Sequence, residues 1–348
     1  MASTYPYSKL PDRSIRLLRL LPSRGRESPI HGKMICCPLP HDILEDGLYE
    51  ALSYVWGSPD DPRCIHLQDD DLLGHGTTRP SSGVLSVTRN LHEALIRLRH
   101  AHVDRILWID AICINQADIE ERNQQVAIMA QIYATASRVL VWLGEDNGDG
   151  SEEALDEILA KAKETPDSKM KTSESSSNEL IALLQRPWFR RVWILQEVAA
   201  ARSILVMCGA RTIDGHSFHL GVTAALQDVE QEKPPAAMRL MQDTFLRRYH
   251  LPADQGRFAL GIAPLPDLLD SYMTSEATDP RDKVFALIGL ASGDLVGSGL
   301  MADYSLALGE LVKRLCSFCF GTALTVGCFG VEEQVALLRG TGHVLGRV

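Results

Sequence analysis

The chain has 348 residues, a hydrophobic fraction of 45% and a formal net charge of −10. That length and hydrophobicity suffice for a sizeable core and exclude a disordered chain. The acidic balance argues against general affinity for nucleic acid or anionic membranes, which want clustered Lys and Arg. No apolar run approaches the ~18 residues needed to span a bilayer, and MASTYPYSKLPDRS carries no signal-peptide core. Eight cysteines in so long a chain do not make a disulfide framework; they read as reduced thiols of a cytoplasmic protein.

Along the chain, Ile15–Leu20 and Met34–Leu39 read as strands, then Tyr49–Trp56, which stops at the turn signal Gly57-Ser58-Pro59. Residues 58–83 read as loop, with a short strand at Ile65–Leu67. Leu91, Ala94, Leu95 and Leu98 recur at helical spacing and predict an amphipathic helix. Leu107–Asp110 is a buried strand, and Asp118 with Glu121 forms a capping pattern opening one helix to about Ala136. RVLVWLG is a further strand ended by Gly144. Residues 145–177, dense in Asp, Glu, Ser and Lys, read as a mobile acidic insert with at best one surface helix. A helix resumes near Glu179 and runs to about Ala200, open to a break at Pro187, before the strand SILVMCG.

Strands alternating with helices between about 49 and 208 call for a mostly parallel sheet, doubly wound by helices. Beyond 210 the pattern is mainly helical, with Asp279 as a cap before Pro280 and a last amphipathic helix over Leu306–Phe318. The expected organisation is N-terminal strands over 1–48, an α/β core over 49–209, a helical extension over 210–320 and a poorly ordered tail over 321–348.

LWIDAICINQ poses the functional question, because Asp110, Asn115 and Gln116 follow the most hydrophobic strand at once. Two roles stay open for Asp110: a structural cap on its own loop, or a group facing a wet cleft. In open doubly wound sheets ligands sit beyond the carboxyl ends of the strands, where Trp56, Gly57, Asp110, Asn115 and Gln116 are expected. Trp108 and Trp142 sit within strands and read as core, whereas Trp56 precedes a loop and could stack on an aromatic ligand. Other chemistries lack their signatures. His100-x-His102, His216-x-x-His219 and Cys316-x-x-Cys319 have no partners at metal spacing, so no metal is expected. No GxSxG, GxGxxG or GxxxxGK[ST] occurs.

YEALSYVWG (Tyr49–Gly57), LWIDAICINQADIEERNQQVAIMAQIYATASRVLVWLG (Leu107–Gly144) and RPWFRRVWILQEVAAA (Arg186–Ala201), with ATDPRDKVFALIGL after them, resemble the fungal heterokaryon incompatibility (HET) domain family. The resemblance implies a fungal protein of non-self recognition and programmed cell death, acting through self-association and an incompatibility partner. It also implies kinship with Toll/interleukin-1 receptor (TIR) domains, hence a TIR-like, flavodoxin-like sheet. Members commonly run longer, and the tail after Gly321 matches none of these blocks, as in a shortened chain.

TIR-related enzymes that cleave NAD place a glutamate four residues after a tryptophan, and Trp193 and Glu197 show that spacing. By this resemblance Glu197 is the candidate catalytic residue, Trp193 joins the substrate-binding set, and NAD is a substrate rather than a cofactor. The competing role for Glu197 is an ordinary helix carboxylate paired with Arg190 or Arg191. An unbroken helix from Pro187 would also set it roughly 15 Å from the cleft, at about 1.5 Å per residue. Arg186, Arg190 and Arg191 could meet a diphosphate or form a solvated helix face. Two functions remain: an NAD-cleaving death effector, or a non-catalytic signalling and oligomerisation module that recruits one.

Overall fold

A computed structural model describes residues 4–39, 48–70, 81–164, 174–227, 234–246, 258–293, 295–320, 324–329 and 335–340. Its main sheet takes β1 (Ser14–Leu20), β2 (His31–Pro38), β3 (Glu50–Tyr54), β4 (Arg63–Asp69), β5 (Ser82–Val87), β6 (Arg105–Trp108), β7 (Arg138–Trp142), β8 (Ile204–Cys208) and β9 (Arg211–Asp214). Their spatial order is β5-β4-β2-β1-β6-β3-β7-β8-β9. The central strands β6, β3, β7 and β8 all run parallel, while β1 pairs antiparallel with β6 and β9 with β8. In chain order the parallel block reads second, first, third, fourth, the opening of the flavodoxin-like doubly wound order. The strand direction of travel therefore reverses beside β3.

The helices nearest this block are α1 (Arg89–Leu98), α2 (Asp110–Cys113), α3 (Ile119–Ala127), α4 (Met129–Thr135), α5 (Ser151–Lys163), α6 (Glu174–Leu184), α7 (Trp193–Ala200) and α8 (Gly215–Leu226). Right-handed crossovers put α1 on one face of the parallel block and α3 through α7 on the other. Burial accordingly covers both faces of the central strands: Leu52, Ser53, Tyr54 and Val139 to Trp142 are all buried. In α1, Leu91, Ala94, Leu95 and Leu98 are its buried face, as their spacing predicts.

Several boundaries differ from expectation for physical reasons. The helix expected from Asp118 to Ala136 breaks at Ile128 (φ −105°, ψ 6°). Residues 129–135 are buried throughout, whereas α3 buries only Glu121 and Gln125, so the two halves serve different surroundings. Asp118 does cap α3, accepting from the Glu121 amide at 3.1 Å. The Glu121 side chain turns instead to Arg16 on β1 in a buried pair, Nη1–Oε1 2.5 Å and Nη2–Oε2 2.9 Å. Strands β5 and β9 were hidden in the sequence because neither has an apolar alternation of its own; each is held by a neighbouring strand.

The acidic segment 145–177 carries a packed helix where it is described. Ser151–Lys163 is a helix whose Ala154, Leu155 and Ile158 are buried, with its acids gathered on the remaining surface; residues 165–173 lie outside the described residues. Composition hid this face because the polar residues outnumber the apolar ones. Of the tail expected to be poorly ordered, Leu324–Phe329 and Val335–Gly340 pair antiparallel; its other residues lie outside the described set.

Helix α5 packs on α8 at very short range: a Cβ added at Gly221 would lie 2.0 Å from the Ile158 carbonyl oxygen. Gly221→Ala is therefore expected to lower stability by about 1–3 kcal/mol through overpacking, read as a reduced urea midpoint. An unchanged midpoint would mean that α5 does not rest there.

Candidate functional site

Register builds the site. Ala51 pairs with Trp108 and Tyr54 with Trp142, so the residues following β3, β6 and β7 emerge together at the carboxyl edge, beside the reversal of strand order. Asp110 is half-buried there and opens α2, whose Ala111 amide donates to its Oδ1 at 2.7 Å. The Trp56 indole donates to Asp110 Oδ2 at 2.7 Å while 40% of Trp56 stays exposed. The Tyr54 hydroxyl, fully buried, leans on the same carboxyl, although outside regular hydrogen-bond geometry. Burial pushes the Asp110 carboxyl above its ordinary range, against the pull of Arg191, the Trp56 indole and the Ala111 amide. Asp110 thus fixes its own turn, at the edge where Trp56 stays partly exposed.

Glu197 is buried near that edge. Pro187–Arg190 forms a short 3-10 turn, Arg191 and Val192 break the path, and α7 starts only at Trp193. The break removes the depth objection that an unbroken helix from Pro187 raised. Glu197 is 4% exposed, and its Oε2 accepts the Ser53 hydroxyl of β3. Ser53 in turn accepts the Trp188 indole at 2.8 Å. Burial raises the Glu197 carboxyl to about 7; Arg191 and the Ser53 bond pull it down, and Asp110 pushes it up. Burying a carboxylate so close to a second one is tolerable only with donors and a cation at hand.

That cation is Arg191. Its guanidinium donates to the Tyr54 carbonyl and acts electrostatically on both Asp110 and Glu197. The sequence offered it only jointly with Arg190 as a partner for Glu197, because the arginines of RPWFRR look alike. Only the helix break distinguishes them. Arg186 ties together the Leu143 and Glu145 carbonyls and Asp149, and Arg190 meets Glu276 at the surface, 3.4 Å apart. Ser53 and Trp188 were also missed; a serine inside an apolar strand was the available signal.

The remaining site candidates separate. Gly57 follows Trp56 with a left-handed φ of +79°, and a Cβ there would meet the Asn90 side chain at 3.3 Å. Asn115 and Gln116 make local bonds: Asn115 Oδ1 accepts the Ala117 amide, and Gln116 Nε2 donates to the Asp110 carbonyl at 3.0 Å. Trp193 lies beside Asp282 and favours its charged form. His100 is a turn cap, its Nδ1 accepting the His102 and Val103 amides. Among the described residues no group of three or more His, Cys, Asp or Glu could hold a metal ion, and no helix is long and apolar enough to cross a membrane.

A pH-dependent stability follows. Glu197 keeps its proton to higher pH in the folded chain than the ordinary 4.5 allows in the unfolded one. Its favourable contribution is complete below that value and is lost as pH rises through about 7. Glu197→Gln should therefore leave stability near parental at pH 5 and raise it at pH 8.5 by up to about 3 kcal/mol. Urea unfolding at the two pH values measures this; an equal effect at both would refute a raised Glu197.

Known proteins are similar to part of this chain. The family model for heterokaryon incompatibility protein (HET) matches residues 49–197, from the residue before β3 to Glu197 itself. Heterokaryon incompatibility protein 6, OR allele, of Neurospora crassa is 28% identical over 85% of this chain, and the match spans about half the length of that relative. No solved structure matches the chain. Residues 49–197 of this protein are thus similar to the heterokaryon incompatibility domain.

Proposed function

We propose that the protein acts in fungal non-self recognition and programmed cell death by cleaving the glycosidic bond of NAD at Glu197. The observation that carries this reading is a buried carboxylate held between Ser53 and Arg191, next to a second carboxylate at the strand-end edge. The chemistry needs little else. Nicotinamide leaves with the bonding electron pair, which neutralises its pyridinium nitrogen, so no general acid is required. The ribose becomes an oxocarbenium ion, water adds at that carbon, and one proton is released, giving ADP-ribose and nicotinamide.

In this scheme the Glu197 carboxylate stabilises the developing cation. Ser53 orients the carboxylate, and Arg191 favours its charged form. Asp110 receives ribose hydroxyls, and the exposed Trp56 offers a ring face for stacking. Only the ionised carboxylate serves, so activity should rise with pH through about 7. Because Glu197 is buried, substrate entry requires the Trp56–Asp110 contact to open, a step assigned to self-association.

One observation favours a second reading. Glu197 is 4% exposed and already has its partners, as a structural latch would. On that reading the domain is a non-catalytic signalling module that recruits a separate executioner.

The test is NAD consumption by the purified chain under forced oligomerisation. Each 1.36 kcal/mol of lost transition-state stabilisation is tenfold in rate, so Glu197→Gln should slow cleavage roughly a hundredfold or more. Cell killing should fall with it, while Glu120→Gln on α3 leaves both near parental. Parental NAD loss by the Glu197 variant would remove the catalytic assignment. Killing without any NAD loss would establish the recruiting module.

A further inference from the structure

The helical extension is not an appendage to the site. Its residues Glu276 to Ala286 run alongside Arg190 to Gln196, the stretch that delivers Glu197. At the break, the Val192 amide donates to the Glu276 carbonyl at 2.9 Å, and the Glu276 amide donates to the Arg190 carbonyl at 2.6 Å. At the next residue, Trp193 lies beside Asp282, at the start of the helix Asp282–Ile288, and favours its charged form. Gln196 Nε2 then donates to the Ala286 carbonyl at 3.4 Å. The helix approaches so closely that a Cβ on Gly289 would lie 1.9 Å from that amide nitrogen.

The helix α7 lacks a side-chain cap of its own. Its first turn is consequently held by the extension, through main-chain bonds at the break and through the Trp193–Asp282 contact. Asp282 is itself fixed. The Tyr304 hydroxyl donates to it at 2.6 Å, and the Tyr304 ring lies under Arg122 of α3 at 4.1 Å and beside Arg281 at 5.4 Å. Arg281 forks onto Asp279 and also donates to the Tyr304 and Leu306 carbonyls. Asn123 of α3 closes the loop, accepting the Tyr304 amide at 2.9 Å. A chain of neighbouring groups thus runs from α3 through Tyr304 and Asp282 to the first residue of α7.

We propose that Trp193, Asp282 and Tyr304 are positioning residues that brace the break before α7 and so hold Glu197 beneath the strand ends. Trp193 serves the site through the extension and does not contact the substrate. The HET domain match ends at Glu197, yet the residues that set that glutamate's place lie some eighty to a hundred positions later. The catalytic part of the proposal rests on the NAD-cleaving reading; the bracing part does not.

Two readouts separate them. Glu197 faces Ser53 from β3, Asp110 from the end of β6, Arg191 at the break, and the Tyr54 and Tyr133 rings. Loosening α7 alters that enclosure and admits water, which returns the carboxyl toward its ordinary range. The unfolding stability of the parent is therefore compared with that of Glu197→Gln from pH 5 to 9. The same comparison is repeated in Trp193→Phe and in the milder Tyr304→Phe. In the parental background the gap opens above pH 4.5 and levels off at about pH 7; in either variant it should level off at least about one pH unit lower and at a smaller value. With NAD as substrate, kcat should fall roughly tenfold to a hundredfold at unchanged KM, as for a misplaced group that does not bind substrate.

An unmoved pH gap in both variants overturns the brace, whatever happens to NAD. A gap that moves in a protein that consumes no NAD upholds the brace and removes the catalytic reading alone. A rise in KM at unchanged kcat would instead return Trp193 to the substrate and contradict its positioning role.

Discussion

A carboxylate buried beside the central strand of a sheet must find donors and a counter-charge or give up its ionisation. In this protein the bond from Ser53 to Glu197, with Arg191 alongside, settles that balance near neutral pH. Much of the architecture around the site is a consequence. β3 must be central, so that a serine inside it meets the helix crossing above; α7 must start late, so that Glu197 lies within one turn or so of the strand ends. Arg191 must fall in the break between the two helical segments, the position from which one guanidinium influences both Glu197 and Asp110.

The second constraint is mechanical. A helix beginning after a break has exposed amides and no cap, and the extension supplies what the local sequence does not. The domain and its extension therefore form one unit at this point, although composition and pattern suggest separate segments. The Arg16–Glu121 pair plays a comparable part on the other side, fastening β1 to α3 through a charge pair enclosed in the core. Breaking one partner there would leave an uncompensated buried charge, the most damaging kind of substitution at such a place.

Periodicity made the central block legible: the α1 stripe, the strand at Leu107, RVLVWLG and SILVMCG are strong local patterns whose burial follows from them directly. The carboxyl-edge location of Trp56 and Asp110 was readable too, because strand ends follow from strand identities. What escaped were relations between distant residues. Nothing local announces that Ser53 meets Glu197, 144 positions away, that Glu121 answers Arg16 rather than its own cap, or that Trp193 turns to Asp282. Strands β5 and β9 escaped for the same reason, since pairing partners define them. The acidic stretch misled in the opposite direction: polarity concealed the buried face of α5.

The central claim is that Glu197 shares its enclosure with Asp110 and Arg191 and titrates close to neutrality. Selective 13C labelling of glutamate carboxyls, with Glu197 assigned by the resonance missing in Glu197→Gln, follows that proton directly by NMR. The account predicts a midpoint at about 7, moving upward in Arg191→Met as the counter-charge is lost. A midpoint at the ordinary 4.5, indifferent to Arg191, would show that the enclosed carboxylate described above does not exist in solution.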